Sequence, residues 1–229
     1  FQQFGSPKLF FGISAGNMDS MINHRTANKK FRNDDAYSPG GRPGLRPDRA
    51  TLVYCQRARE AFKGVPIIAG GVEASLRRLA HYDYWSDSVR RSIVLDSKAD
   101  IVAYGMGEDS ILKIADTLAH GEPITSLRKM RGVAYALGAS EPVPETFEDK
   151  PFVQIPSFEK VASDKMAFAE ATRIIHTHTN PYNAQGISQQ DGARTIIATP
   201  PQLPLSQSQM DNIYDLPYTR SPHPDYKET

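Results

Sequence analysis

Three short apolar runs each stop at a glycine-bearing turn and each is followed by residues of helical spacing. This alternation constrains the fold more than any single motif. The runs are LFFGI (9–13), VPIIA (65–69) and ADIVAYG (99–105), and the turns lie at 14–17, 70–71 and 105–107. After the first turn, Asn17 is placed to cap a helix carrying Met18, Met21 and Ile22. After the second, Val72, Leu76 and Leu79 or Ala80 share a helical face, and Glu73 and Arg77 stand four apart in the order that favours a surface ion pair. After the third, Ile111, Leu112, Ala115 and Leu118 continue a helix that Gly121 is placed to end. A further helix, capped by Asp48 and running to about 62, carries Leu52, Cys55, Arg59 and Phe62 near one face. Strands separated by helical segments of about a dozen residues predict an α/β fold, a mostly parallel open sheet of Rossmann-like form flanked by helices. Right-handed crossovers bring the three turns to one rim, where the ligands of such sheets gather.

From about 122 the pattern changes. Residues 138–157 (GASEPVPETFEDKPFVQIPS) carry several prolines and acids and read as a linker. A helix over 164–177 follows, with Phe168, Ala171, Ile174 and Ile175 on its apolar side. TIIAT (195–199) reads as a strand, Ser206-x-x-Gln209 as a capping box, and LPYTRSPHPDYKET as a tail that needs a partner surface to be ordered. The expected organisation is therefore a Rossmann-like domain over 1–137, a linker over 138–157 and a small α/β lead-in segment over 158–229. Within the first unit, residues 23–47 are too rich in Gly, Pro and charge for a packed element; loops of that length are usually functional or disordered.

With 27 Lys and Arg against 26 Asp and Glu, the net charge of +1 implies no global attraction to nucleic acid or to an anionic membrane. No apolar run approaches the roughly 18 residues of a membrane span, and no signal peptide is visible. Cys55 is the single cysteine, so the chain has neither an internal disulfide nor a multi-cysteine metal site. A reducing, cytoplasmic setting fits that usage. The opening FQQFGSPKLFFG has no initiator Met and runs straight towards a strand, as expected of a piece of a longer protein.

Candidate chemistry concentrates on the predicted rim. Gly70-Gly71 allows a tight turn or a close backbone approach. Arg77 and Arg78 can clamp a phosphate or carboxylate, and His81 beside Asp83 can form an oriented acid–base pair. The alternative is a satisfied ion-pair network with an aromatic cluster docking a neighbour. Gly105-Met106-Gly107-Glu108 offers backbone N–H groups to an anion, or a carboxylate to ribose hydroxyls. Asn17, Gly70, Gly71, Glu73, Gly105, Gly107 and Glu108 are thus the candidate cofactor contacts, and Arg77, Arg78, His81 and Asp83 the candidate catalytic groups. The stretch from Arg25 to Arg49 holds seven basic residues against three acids, and either steers an anionic ligand or is simply solvated. His176 and His178 have no Cys, Asp or Glu within four residues, which argues against a metal there. No G-x-S-x-G elbow is present.

Several long runs carry a resemblance. LFFGISAGNMDSMINHRTA, DDAYSPGG, RPDRATLVY, GGVEASLRRLAHYDYWSDSVRRSI, SKADIVAYGMGE, IPSFEKV, THTNP and LPYTRSPHP-x-Y resemble the YgiQ-type radical S-adenosylmethionine proteins. The resemblance implies the region that precedes the radical domain of a longer protein, with an α/β sheet like the cobalamin-binding-type domains and its first strands absent. It implies a [4Fe–4S] cluster and S-adenosylmethionine for the parent protein and none for this chain, which has no Cys-x₃-Cys-x₂-Cys. Cobalamin is not supported, because no histidine has an Asp two residues before it. The partner implied is the downstream radical domain, with a substrate unknown. Two other readings stay open: a stand-alone α/β module binding a nucleotide or phosphorylated metabolite, and a non-catalytic interaction module.

Overall fold

Ile67, Ile68 and Ala69 are successive residues and all are buried, as strands covered on both faces by helices must be. The computed structural model describes residues 1–221. In chain order its elements are β1 (Phe11–Ser14), α1 (Ser20–His24), α2 (Ala50–Ala61), β2 (Ile67–Gly70), α3 (Gly71–Leu76), β3 (His81–Asp83), β4 (Ser88–Arg90), α4 (Ile93–Ser97), β5 (Ile101–Ala103) and α5 (Glu108–Ala119). There follow β6 (Val133–Ala136), β7 (Thr146–Phe147), β8 (Lys150–Pro151), β9 (Val153–Ile155), α6 (Phe158–Ser163), α7 (Lys165–Thr177), β10 (Ile187–Asp191), β11 (Arg194–Ala198) and α8 (Gln207–Tyr214).

Seven strands form one sheet in the order β1-β2-β5-β6-β11-β10-β9. The pairs β1–β2, β2–β5 and β9–β10 are parallel; β5–β6, β6–β11 and β10–β11 are antiparallel. The sheet is therefore mixed, and the parallel part legible in the sequence is one flank of it. One face packs Cys55 and Ala58 of α2, α4 and the Phe168–Ile174–Ile175 side of α7 against Ile67, Ala69, Val102 and Ile196. The other packs Ile114 of α5 and Leu127 against Ile68, Ile101, Val133 and Ile197. Among the described residues no helix is long and apolar enough to cross a membrane.

The sheet runs across the boundary expected at 137, since β9, β10 and β11 lie beside β6. The stretch expected to be a linker holds the β7–β8 hairpin and β9. Its turn residues Glu148 and Asp149 both have positive φ, 49° and 61°, with Asp149 of a type enriched there but no glycine to mark the turn. The strand ISQQD stays hidden for a different reason. Its Gln189 is buried, accepting from Ala80 N (2.8 Å) and donating to Pro156 O (3.0 Å), so an inward position carries a polar residue.

Three local expectations are corrected. Asp19, not Asn17, caps α1, accepting from Met21 N at 3.0 Å. Asp48 does not cap α2; its carboxylate meets Arg25 at 2.8 Å and His24 at 3.2 Å. The N–H groups of Ala50 and Thr51 are instead satisfied by Ser20 and Glu73, from other elements. The helix after Gly71 ends at Leu76, leaving Val72 and Leu76 exposed, and residues 81–90 form the β3–β4 hairpin. The capping box at Ser206 and Gln209 forms as expected, and Gly121 follows α5 with φ +76°. The tail's HP-x-Y portion lies outside the described residues.

Candidate functional site

The three glycine turns do converge. At the carboxyl ends of β1, β2 and β5, Ser14, Ile68, Gly70, Gly71, Ala103 and Gly105 line an open groove of about 340 Å³, with Ile111 of α5 on its wall. Gly71 has φ +77°, and a Cβ there would lie 2.7 Å from Ser14 Oγ; only glycine serves both needs. Gly105 also has positive φ, 78°, whereas Gly107 at −100° does not need to be glycine for its backbone. Gly107 is the N-cap of α5, without a side-chain cap, and Glu108 and Asp109 occupy the first turn. Glu108 is exposed beside the groove.

The charged candidates go elsewhere. Glu73 is buried and points into the protein, where Oε2 accepts from Ser20 N (2.9 Å) and from the Ser20 hydroxyl, and Oε1 accepts from Thr51 N (3.0 Å). One carboxylate thus satisfies the first turns of α1 and α2. The expected Glu73–Arg77 ion pair is not formed; Arg77 pairs with buried Asp19 and donates to the Glu73 carbonyl at 3.2 Å. Arg78 donates to Ser75 O (2.7 Å) and lies 4.3 Å from the Tyr104 ring. Asn17 Nδ2 reaches the Tyr37 hydroxyl at 3.3 Å.

His81 and Asp83 do not form an acid–base pair. The His81 ring nitrogen Nδ1 meets Leu79 O at 3.1 Å, and burial pulls its pKa down to about 4, so the imidazole is neutral at pH 7. Asp83 accepts from Arg49 Nε (3.1 Å) and Trp85 N (2.9 Å). Its burial opposes ionisation, but these donors prevail and its pKa is lowered.

The 23–47 stretch is not a free loop. Asp35 is buried at its centre, held by Arg46 Nη2 (2.6 Å), the Ser38 hydroxyl (2.7 Å) and Tyr37 N (3.0 Å). Burial pushes the Asp35 pKa up, yet these donors outweigh it and hold it at about 2, below the ordinary 3.8. A depressed carboxyl pKa stabilises the fold fully above the unfolded value, and the gain is lost as pH falls from about 4 through about 2. The expected contribution is about 2 kcal/mol. Urea midpoints measured from neutral to acid pH should fall over this window, and Asp35→Asn should flatten the fall; an unchanged slope would show that Asp35 carries none of it.

Cys55 is sealed in the core and burial raises its thiol pKa to about 12, the opposite of what a thiolate ligand needs. Among the described residues no three His, Cys, Asp or Glu side chains gather as a metal site. The side chains this chain presents do not fit an iron–sulfur cluster. The groove itself is apolar and shaped by backbone, suited to contact with a packed surface or a small apolar group. The residues that hold the rim together, Asp19, Ser20, Asp35, Arg46, Arg49 and Thr51, escape a sequence reading because their partners lie 11 to 58 positions away.

Comparisons with known proteins place this architecture. A family model described as radical SAM N-terminal matches residues 1–229. A UPF0313 protein of Rhodopseudomonas palustris is 48% identical over 240 residues, covering 99% of this chain and 36% of the relative. A UPF0313 protein of Methanocella arvoryzae is 48% identical over 228 residues, covering 100% and 37%. The UPF0313 protein YgiQ of Escherichia coli K12 is 44% identical over 275 residues, covering 99% and 37%. The chain therefore spans little more than a third of the length of these curated relatives. No solved structure matches. The chain belongs to the radical SAM N-terminal family, among relatives that include YgiQ.

Proposed function

We propose that this chain is the N-terminal accessory region of a radical S-adenosylmethionine enzyme whose reaction is open, and that its glycine-lined rim is the surface on which the downstream radical domain packs. In this reading the [4Fe–4S] cluster and S-adenosylmethionine belong to that later domain. One observation carries it. The chain leaves the sheet on the same rim as the groove: Gly132 N donates to Pro200 O (2.7 Å) and Tyr104 N to Gly132 O (2.8 Å), directly after the groove residue Ala103. Beside that exit the rim shows apolar side chains to solvent, Val72 (48% exposed), Leu76 (64%), Met106 (46%) and Ile111 (42%). Such a patch beside a covalent exit is what an interdomain contact looks like before its partner is in place.

A nucleotide is less well served. Glu108 and Asp109 already put negative charge in the first turn of α5, where a phosphate needs bare N–H groups and a positive dipole end. Arg77 and Arg78, which follow the Gly70-Gly71 turn, are engaged by Asp19 and by the Ser75 carbonyl, and Lys113 of α5 by Asp109. Hydrogen exchange tests the interface. Amides of 105–111 should exchange at least about tenfold more slowly in the longer protein than in this chain. Val72→Asp with Ile111→Asp should remove that protection while leaving this chain folded. Equal exchange in both proteins would sink the interface.

A further inference from the structure

The basic stretch at 25–49 is only partly used up by ion pairs. Arg25 and Arg46 are paired with Asp48 and Asp35 within the stretch, and Arg49 fastens it to Asp83 of β3. Lys29, Lys30 and Arg32 make no ion pair among the described residues and are exposed. They stand among exposed aromatic rings: Phe31 (63% exposed), Tyr37 (48%), Tyr82 (49%) and Tyr84 (50%). The surface is continuous. A groove of about 430 Å³ lined by Arg25, Tyr82, Tyr84 and Trp85 shares Ile22 and Arg32 with a second, of about 260 Å³, lined by Met18 and Tyr37.

The rings are held rather than loose. Tyr84 donates its hydroxyl to Ala27 O (2.7 Å), Lys29 Nζ lies 4.8 Å from the Tyr84 ring, and the Arg25 guanidinium stacks 4.0 Å from Phe31. Arg32 Nε is fixed by Ile22 O (2.8 Å) and Arg25 O (3.1 Å), which leaves its terminal nitrogens outward. Against these cations the grooves carry the exposed Asp34, while Asp87 is engaged by the Tyr82 hydroxyl.

We propose that this face binds a single-stranded polynucleotide, its bases stacking on the exposed rings and its phosphates meeting Lys29, Lys30 and Arg32. Exposed rings beside unpaired cations are the combination that single strands use, flat faces for the bases and positive charge for the backbone: Tyr37, Tyr82 and Tyr84 line the grooves with Arg32, and Lys29, Lys30 and Phe31 adjoin that lining in sequence. A free phosphate has no need of the rings. The net charge of +1 conceals the patch because, Asp34 and Asp87 apart, the acids that balance it lie elsewhere on the chain or are tied in pairs. The proposal uses none of the groove residues Val72, Gly105 or Ile111, so it stands or falls independently of the interface reading.

The test is fluorescence anisotropy of a short labelled oligouridylate titrated against this chain and against the longer protein. Binding should weaken linearly in log–log form as salt rises. Phe31→Ala and Tyr37→Ala should each weaken it by at least about fivefold at constant salt, as loss of one stacked base implies. Lys30→Ala should lower the salt slope by about one. Circular dichroism and Phe31→Tyr, which keeps a ring, separate lost stacking from lost fold. Four results would overturn the proposal: no binding at low salt, Phe31→Ala and Tyr37→Ala binding as tightly as the parent, heparin or duplex bound as tightly as the single strand, or binding by this chain that vanishes in the longer protein because another part of the protein covers the face.

Discussion

Glu73→Ala should destabilise this protein by about 2–6 kcal/mol at neutral pH. The carboxylate is buried and accepts three hydrogen bonds, from Ser20 N, the Ser20 hydroxyl and Thr51 N. Alanine leaves the first-turn N–H groups of both α1 and α2 without acceptors in a site that water does not reach freely. An unsatisfied buried donor costs about 1–3 kcal/mol, so the two N–H groups together cost about 2–6 kcal/mol, a large part of the roughly 5–15 kcal/mol that holds a domain together. The damage would spread, because Ser20 Oγ also accepts from Ala50 N at 3.1 Å and lies 2.8 Å from Asp48 O, the other acceptor within reach of its single proton. Glu73→Gln keeps one acceptor oxygen and should lose less. Urea unfolding followed by circular dichroism decides the matter, with exposed Glu108→Ala as the neutral control. A Glu73→Ala midpoint equal to that of the parent would show that the carboxylate is dispensable and return it to the candidates for ligand contact.

How Glu73 was legible, and how it was not, shows what sequence carries here. Its place just after a strand and a glycine pair marked it as a rim residue, and it is one. Its direction depends on Ser20 and Thr51, 53 and 22 positions away, and no local pattern encodes that. The same division holds elsewhere. The parallel flank β1-β2-β5 was readable because each apolar strand is followed by a turn with a positive-φ glycine, Gly16, Gly71 or Gly105. The other flank was legible only at β11: β9 lies in a stretch rich in Pro and acids, and β10 carries an inward glutamine. His81 and Asp83 stand two apart on a strand, as predicted spacing alone would like, yet each answers to a different partner. The long loop's Gly, Pro and charge conceal its packing, because what pins it are side-chain pairs, buried Asp35 with Arg46 and Arg49 with Asp83.

Reconstituted anaerobically with iron and sulfide, this chain should acquire no stable [4Fe–4S] cluster and cleave no S-adenosylmethionine. The argument is donor chemistry. A cubane with one open iron needs three thiolates presented by one short loop, and this chain has one cysteine. That cysteine faces the core from α2 with its pKa raised to about 12, so forming the thiolate would require opening the packing between α2 and the sheet. The histidines do not make up the set: His178 Nδ1 already accepts from Gln185 N at 3.0 Å, and no third ligand joins it and His176 among the described residues. A longer protein carrying Cys-x₃-Cys-x₂-Cys beyond Thr229 should bind one cluster and regain cleavage, and substituting one of those cysteines should abolish both. Iron and sulfide counted against protein, with the absorbance near the visible charge-transfer band, supply the measurement. A full cluster on the 229-residue chain itself would mean that Cys55 leaves the core, and the accessory-region reading would fall with it.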